Sequence, residues 1–248
     1  MMETFFLSDV HLGLGTREEE RAKEDRLLAF LDASLPSAEG LIILGDLFDL
    51  WFEYRTVIPK GFHRTLTAIQ RYTDEGIPVK FLTGNHDFWV GDFFETELGV
   101  TVLRGPTEIS VQGKRVYLHH GDGLGTNDPG YRFIKPILRS RLSITLYRWL
   151  HPDIGVSIAR GSSRSSRTYT SAKDFGEDQG MIAHATEKIR AGADVVVMGH
   201  RHVPTLQSIG NGVYVNLGDW ITFNSYGVMT GGTMQLRTWN GQLRTSDG

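Results

Sequence analysis

Five stretches scattered along 248 residues set donors for hard divalent metals directly after an apolar run or a glycine. They are Asp9-Val10-His11, Gly45-Asp46, Gly84-Asn85-His86-Asp87, His120-Gly121-Asp122 and Gly199-His200-Arg201-His202. What precedes each of them narrows the fold. Glu3–Ser8, Leu41–Leu44, Pro78–Leu82, Arg115–His119 and Asp194–Met198 read as buried strands, each delivering one stretch at its end. Apolar spacing and flanking charge predict helices over Glu18–Leu35, Phe62–Asp74 and about Gly180–Ala191. In open α/β sheets, ligands gather beyond the carboxyl ends of the strands, where all five stretches fall. Short strands at Val100–Leu103 and Thr107–Val111, and glycine turns at Gly210-Asn211-Gly212 and Gly231-Gly232, add antiparallel strands. The predicted architecture is α/β: a four-layer α/β/β/α sandwich, one domain over residues 1–248, with one sheet more parallel than the other.

Residues 128–170 break the rhythm, with helical spacing and no strand. Between Arg132 and Arg167, eight basic residues (Arg132, Lys135, Arg139, Arg141, Arg148, Arg160, Arg164 and Arg167) accompany one acid, Asp153, a local charge of +7 in a chain of net −3. The same stretch carries Ile134, Ile137, Leu138, Leu142, Ile144, Leu146, Trp149, Leu150, Ile154 and Ile158. It reads as a helical cap, basic and apolar together, inserted between the fourth and fifth donor stretches.

A net charge of −3 argues against a whole-surface affinity for nucleic acid. The absence of cysteine excludes disulfides and thiolate zinc sites. No basic leader is legible at the start, and no window reaches the 18 or so apolar residues of a membrane span.

The donors have roles of their own. On an extended segment, Asp9 and His11 would point to one side, at the end of the first strand. The two carboxylate oxygens of Asp46 can bridge two ions, and the Asn85 amide oxygen is a neutral ligand. His120, His200 and His202 add nitrogen donors suited to Mn, Fe or Zn more than to Ca. One ion is assigned Asp9, His11, Asp46 and His202, and the other Asp46, Asn85, His120 and His200. Paired divalent ions of this kind activate water against phosphorus. His86 is left to stabilise the transition state or protonate the leaving oxygen, with Asp87 fixing its ring. The expected cofactors are two divalent ions, Mn2+ first, with Fe2+ or Zn2+ also compatible.

In this order the five stretches resemble the calcineurin-like metallophosphoesterase superfamily over nearly the whole chain. Three further features resemble its branch of UDP-2,3-diacylglucosamine pyrophosphatases of lipid A biosynthesis. They are Gly45-Asp46-Leu47-Phe48-Asp49-Leu50-Trp51, the run from His120 through Asp128 to Tyr131, and Leu217-Gly218-Asp219-Trp220. His86 departs from the Arg of that branch's better-known members and restores the general superfamily motif.

The resemblance implies hydrolysis of the pyrophosphate of UDP-2,3-diacylglucosamine, giving UMP and 2,3-diacylglucosamine 1-phosphate. It also implies substrate contacts from Asp128, Tyr131 and the cap arginines Arg160, Arg164 and Arg167. The expected partner is a nucleotide-linked glycolipid, met by peripheral contact with the inner face of the cytoplasmic membrane, and neither nucleic acid nor a protein partner is implied. The alternative is a metallophosphoesterase acting on another phosphodiester, such as a nucleotide or a phospholipid headgroup.

Overall fold

The computed structural model describes residues 2–125, 129–159, 161 and 177–243. Among the described residues, eleven strands form two mixed sheets. The first has the order β11-β10-β1-β2-β3-β4, with β1 (Glu3–Leu7), β2 (Ala38–Ile43), β3 (Val79–Leu82), β4 (Thr101–Leu103), β10 (Ser225–Thr230) and β11 (Thr233–Thr238). The second has the order β5-β6-β7-β9-β8, with β5 (Thr107–Val111), β6 (Lys114–His119), β7 (Val195–Met198), β8 (Thr205–Ile209) and β9 (Gly212–Asn216). β1 to β4 run parallel in the first sheet, and β6, β7 and β9 run parallel in the second.

Period-two alternation explains the layering, because successive strand side chains face opposite sides of a sheet. On β1, Phe5 and Leu7 face helices while Phe6 faces the other sheet. On β2, Leu41 and Ile43 face helices, and Ile42 and the following Leu44 face inward. On β7, Val195 and Val197 face inward, whereas Val196 and Met198 pack under a helix with Tyr214. Strands apolar on both faces must be covered on both. Three cores result: helix on sheet, sheet on sheet, and sheet on helix, as the four-layer reading anticipates.

The outer layers are α1 (Arg17–Ser34), α2 (His63–Asp74) and the short α3 (Phe93–Thr96) on one side, and α7 (Glu177–Arg190) on the other. α1 starts at a capping box: the Thr16 hydroxyl accepts from the Glu19 amide while the Glu19 carboxylate takes the Thr16 amide. It buries Leu27, Phe30 and Leu31, and Phe30 meets Phe5 and Tyr226 at ring separations of 5.8 and 4.7 Å. Between β6 and α7 come α4 (Pro129–Leu138), α5 (Arg141–Tyr147) and α6, helical over residues 152–159. Among the described residues, this segment joins neither sheet.

Candidate metal centre

Parallel pairing carries the ends of β1, β2 and β3 to one edge of the first sheet, and β6 and β7 do the same in the second. Backbone bonds continue past the strand ends and lace the donor loops together. The His11 amide donates to Asp46 O at 2.9 Å, and the Gly199 amide to His120 O at 2.9 Å.

Three overlapping groups of side chains follow, each with its ligand atoms within 4.8 Å: Asp9, His11 and His202; His11, Asp46 and His86; Asp46, His120 and His200. Asp46 joins the two ends, with Oδ2 3.6 Å from His11 Nε2 and 3.2 Å from His120 Nε2. The Asn85 amide oxygen lies 3.0 Å from His120 Nε2. All seven sequence-derived ligand candidates therefore converge at this edge, with Asp9, His11, Asp46 and His120 buried.

They do not converge by strand alternation. Asp9, His11, Asp46, His200 and His202 have φ of 54, 48, 52, 70 and 58°. Such left-handed backbone is uncommon outside glycine and costs roughly 1–3 kcal/mol per residue. The extended geometry expected for Asp9 and His11 is thus corrected: the chain turns at each donor. His200 reaches toward His120 and Asp46, and His202 toward Asp9 and His11.

Glycines make the close approach possible. A Cβ on Gly45, at φ +82°, would sit 2.6 Å from Gly84 Cα and 2.8 Å from His120 Nδ1. One on Gly199 would overlap the Asp9 carboxylate.

Supporting contacts fix which ring nitrogen faces the centre. His120 Nδ1–H donates to Leu44 O at 2.7 Å, leaving Nε2 to face the centre. His202 Nδ1 lies 3.3 Å from Asp219 Oδ2, and that same carboxylate's Oδ1 caps the amides of Ile221, Thr222 and Phe223. His86 Nδ1–H donates to Asp49 O at 3.0 Å, and Asp49 Oδ1 lies 3.5 Å from His11 Nδ1.

The structure also corrects the role expected of Asp87. Its two oxygens accept the amides of Gly84 at 2.8 Å and Leu47 at 2.9 Å, so it braces two donor loops while Asp49 orients His86. Burial and the charge of Asp46 push Asp87 up to about 7. Asp49 and Asp219 are legible in the sequence only as members of quoted motifs; Asp49 follows Asp46 by three residues.

The centre demands positive charge. Burial would keep His120 and His202 neutral, yet Asp46 for the one, and Asp219 with Asp9 for the other, raise both to about 10. Among the described residues, Asp9 Oδ1 is buried and accepts no well-formed hydrogen bond. A buried carboxylate oxygen whose neighbours are imidazole nitrogens, His202 Nε2 at 3.3 Å and His11 Nε2 at 3.8 Å, fits a divalent cation that takes the place of the imidazole protons.

The expected substrate contacts fare differently. Asp128, Arg160, Arg164 and Arg167 lie outside the described residues, and Tyr131 is on α4 with its side chain outside them. Three other basic residues of this segment, Lys135, Arg139 and Arg148, face the core: Lys135 and Arg139 bond Asp122, and Arg148 donates to Glu53 O at 3.0 Å.

Comparison with known proteins agrees with this chemistry. The curated relatives include proteins named UDP-2,3-diacylglucosamine hydrolase. One from Porphyromonas gingivalis is 33% identical over 94% of this chain and 96% of its own length. Another from Nitrosococcus oceani is 32% identical over 88% of each chain, and one from Escherichia coli O127:H6 is 31% identical over 95% and 98%. The profile of the calcineurin-like phosphoesterases matches residues 2–204, a span containing all five donor stretches. The chain therefore belongs to the calcineurin-like phosphoesterase family and is a metal-dependent phosphoesterase.

Proposed function

We propose that this phosphoesterase hydrolyses the pyrophosphate of UDP-2,3-diacylglucosamine, releasing UMP and 2,3-diacylglucosamine 1-phosphate. The observation that carries this reading is a concentration of exposed apolar side chains beside the metal centre. Phe133, Ile137, Leu138, Leu142, Leu146, Trp149, Leu150, Ile154 and Ile158 are all exposed on α4 to α6 and the adjoining turns, with Phe133 at 75% and Trp149 at 84%. Exposed apolar side chains concentrated on one segment mark a binding surface, and two acyl chains are a matching occupant. A cleft of 640 Å3 runs from Gly13 and Asp49 to Pro152 and Val156, with Leu50, Phe52, Val57 and Ile58 on its walls. The activity for which these relatives are named supports the same substrate.

In this reading Asp9, His11, Asp46 and His202 hold one divalent ion, and Asp46, Asn85, His120 and His200 hold the other. Bound there, the ions would lower the pKa of an attacking water and neutralise charge on the phosphoryl oxygens. His86, its Nδ1 fixed by the Asp49 carbonyl, presents Nε2 to stabilise the leaving oxygen or carry its proton. Asp128, Tyr131, Arg160, Arg164 and Arg167 bind the headgroup and phosphates, and residues 128–170 act as a cap within one domain. The apolar face brings the protein to the cytoplasmic face of the membrane that holds the substrate; among the described residues no helix is long and apolar enough to cross it.

The test supplies purified protein with Mn2+ and either UDP-2,3-diacylglucosamine or the same nucleotide sugar without acyl chains, scored for UMP. The diacyl substrate should be turned over with most of kcat/KM lost on deacylation. No UMP, alongside turnover of bis-p-nitrophenyl phosphate, would assign the protein to another phosphodiester.

A further inference from the structure

Arg139 stands out because it belongs to the α4–α6 segment yet reaches the metal centre. Its Nη2 donates to Gly84 O at 3.0 Å and to Asp122 Oδ2 at 3.0 Å. Gly84 precedes the ligand candidate Asn85, and Asp122 follows His120 by two residues. One guanidinium therefore bridges the β3 loop and the β6 loop, whose side chains meet where Asn85 Oδ1 lies 3.0 Å from His120 Nε2. Lys135, one turn earlier, pairs with the same Asp122 oxygen at 2.8 Å and donates to Asp122 O at 2.9 Å. Asp122 is buried at 3% exposure, so its carboxylate needs these partners. The guanidinium also stacks over Phe88 with 5.2 Å to the ring centroid, and Trp89 Nε1 donates to Leu138 O at 3.0 Å.

We infer that Arg139 is a positioning residue for one of the two metal sites: it holds the Asn85 and His120 loops at bonding separation, making α4 part of that site's supporting shell. Its engaged nitrogen binds protein oxygens, so this role is separate from any contact with substrate. The geometry assigns no such role at the other site, where Lys23, donating to His11 O at 2.6 Å, braces the Asp9/His11 turn from α1 instead. Groups that orient metal ligands typically contribute a factor of about 10–100 in metal affinity. The inference rests on the dinuclear reading above.

The test measures Mn2+ binding to the full-length chain by calorimetry, without substrate. Wild type should bind two Mn2+ per chain; fewer would overturn the dinuclear reading and this inference with it. In an H202A background, which leaves the Asn85/His120 site, Arg139→Met should raise the Mn2+ Kd about 10–100-fold. In an H120A background, which leaves the Asp9/His11 site, it should change the Kd less than twofold. Arg139→Lys keeps the pairing with Asp122 and should recover part of the loss. An unchanged Kd in the H202A background would overturn the role, and so would equal losses in both backgrounds, the mark of general loosening. Should Arg139→Met not fold, Asp122→Asn and Arg139→Lys must show the same site-selective weakening, and its absence in both refutes the proposal.

Discussion

Replacing Gly45 by Ala tests how tightly the donor loops are packed. Two separate costs arise from its surroundings. At φ +82° an L side chain is strained, by roughly 1–2 kcal/mol. The new methyl would also lie 2.6 Å from both Gly84 Cα and Gly84 N, and 2.8 Å from His120 Nδ1. Two of these atoms are backbone, so relief requires moving a loop, and overpacking of this kind costs about 1–3 kcal/mol. The sum is roughly 2–5 kcal/mol of stability. The movement needed separates Asp46 from Asn85 and His120, so Mn2+ binding should fall together with stability.

Gly76 supplies the control: it has φ +76° and nothing within 4 Å of an added Cβ. Gly76→Ala should cost only the conformational part, about 1–2 kcal/mol, and leave Mn2+ affinity alone. Urea unfolding of both variants gives the stabilities, and calorimetry with Mn2+ gives the binding. If Gly45→Ala matched Gly76→Ala in both measurements, close approach of the loops would not be what glycine provides there.

Two further outcomes can be measured. Asp49→Ala removes a carboxylate 3.5 Å from His11 Nδ1 and 3.7 Å from His86 Nδ1 and should lower kcat about 10–100-fold with little change in urea midpoint, checked by steady-state kinetics. The double substitution Phe133→Ser with Trp149→Ser should raise KM for the diacyl nucleotide about a hundredfold or more, since each exposed ring buried against an acyl chain contributes about 1.5–3 kcal/mol. It should leave bis-p-nitrophenyl phosphate hydrolysis unchanged, because neither ring belongs to the metal centre.

The layering was legible in the sequence because it rests on alternation: Phe5-Phe6-Leu7 and Val195-Val196-Val197-Met198 can be sheltered only with cover on both faces. The donors were legible because each follows such a strand. The turn at each donor was not. Positive φ at Asp9 and His11 depends on their contacts with the neighbouring strand ends, and nothing in Asp-Val-His requires it. The place of Asp87 is hidden for the same reason. Its adjacency to His86 suggested a pairing, but the carboxylate folds back onto the amides of Gly84 and Leu47, the latter forty residues away. Charge counting misled in one more respect. Lys135, Arg139 and Arg148 added to a basic segment suited to an anionic substrate, yet long-range contacts with Asp122, Gly84 and Glu53 bind them to the fold itself.

Two ions acting together on one pyrophosphate is the central claim, and metal reconstitution tests it most directly. Protein stripped with a chelator is titrated with Mn2+, and UMP release from UDP-2,3-diacylglucosamine is followed against metal bound per chain. Dinuclear chemistry requires no turnover in the stripped protein and a rate that climbs to its plateau only as the second Mn2+ binds. A plateau at one Mn2+ per chain, or UMP release from the stripped protein, would contradict it.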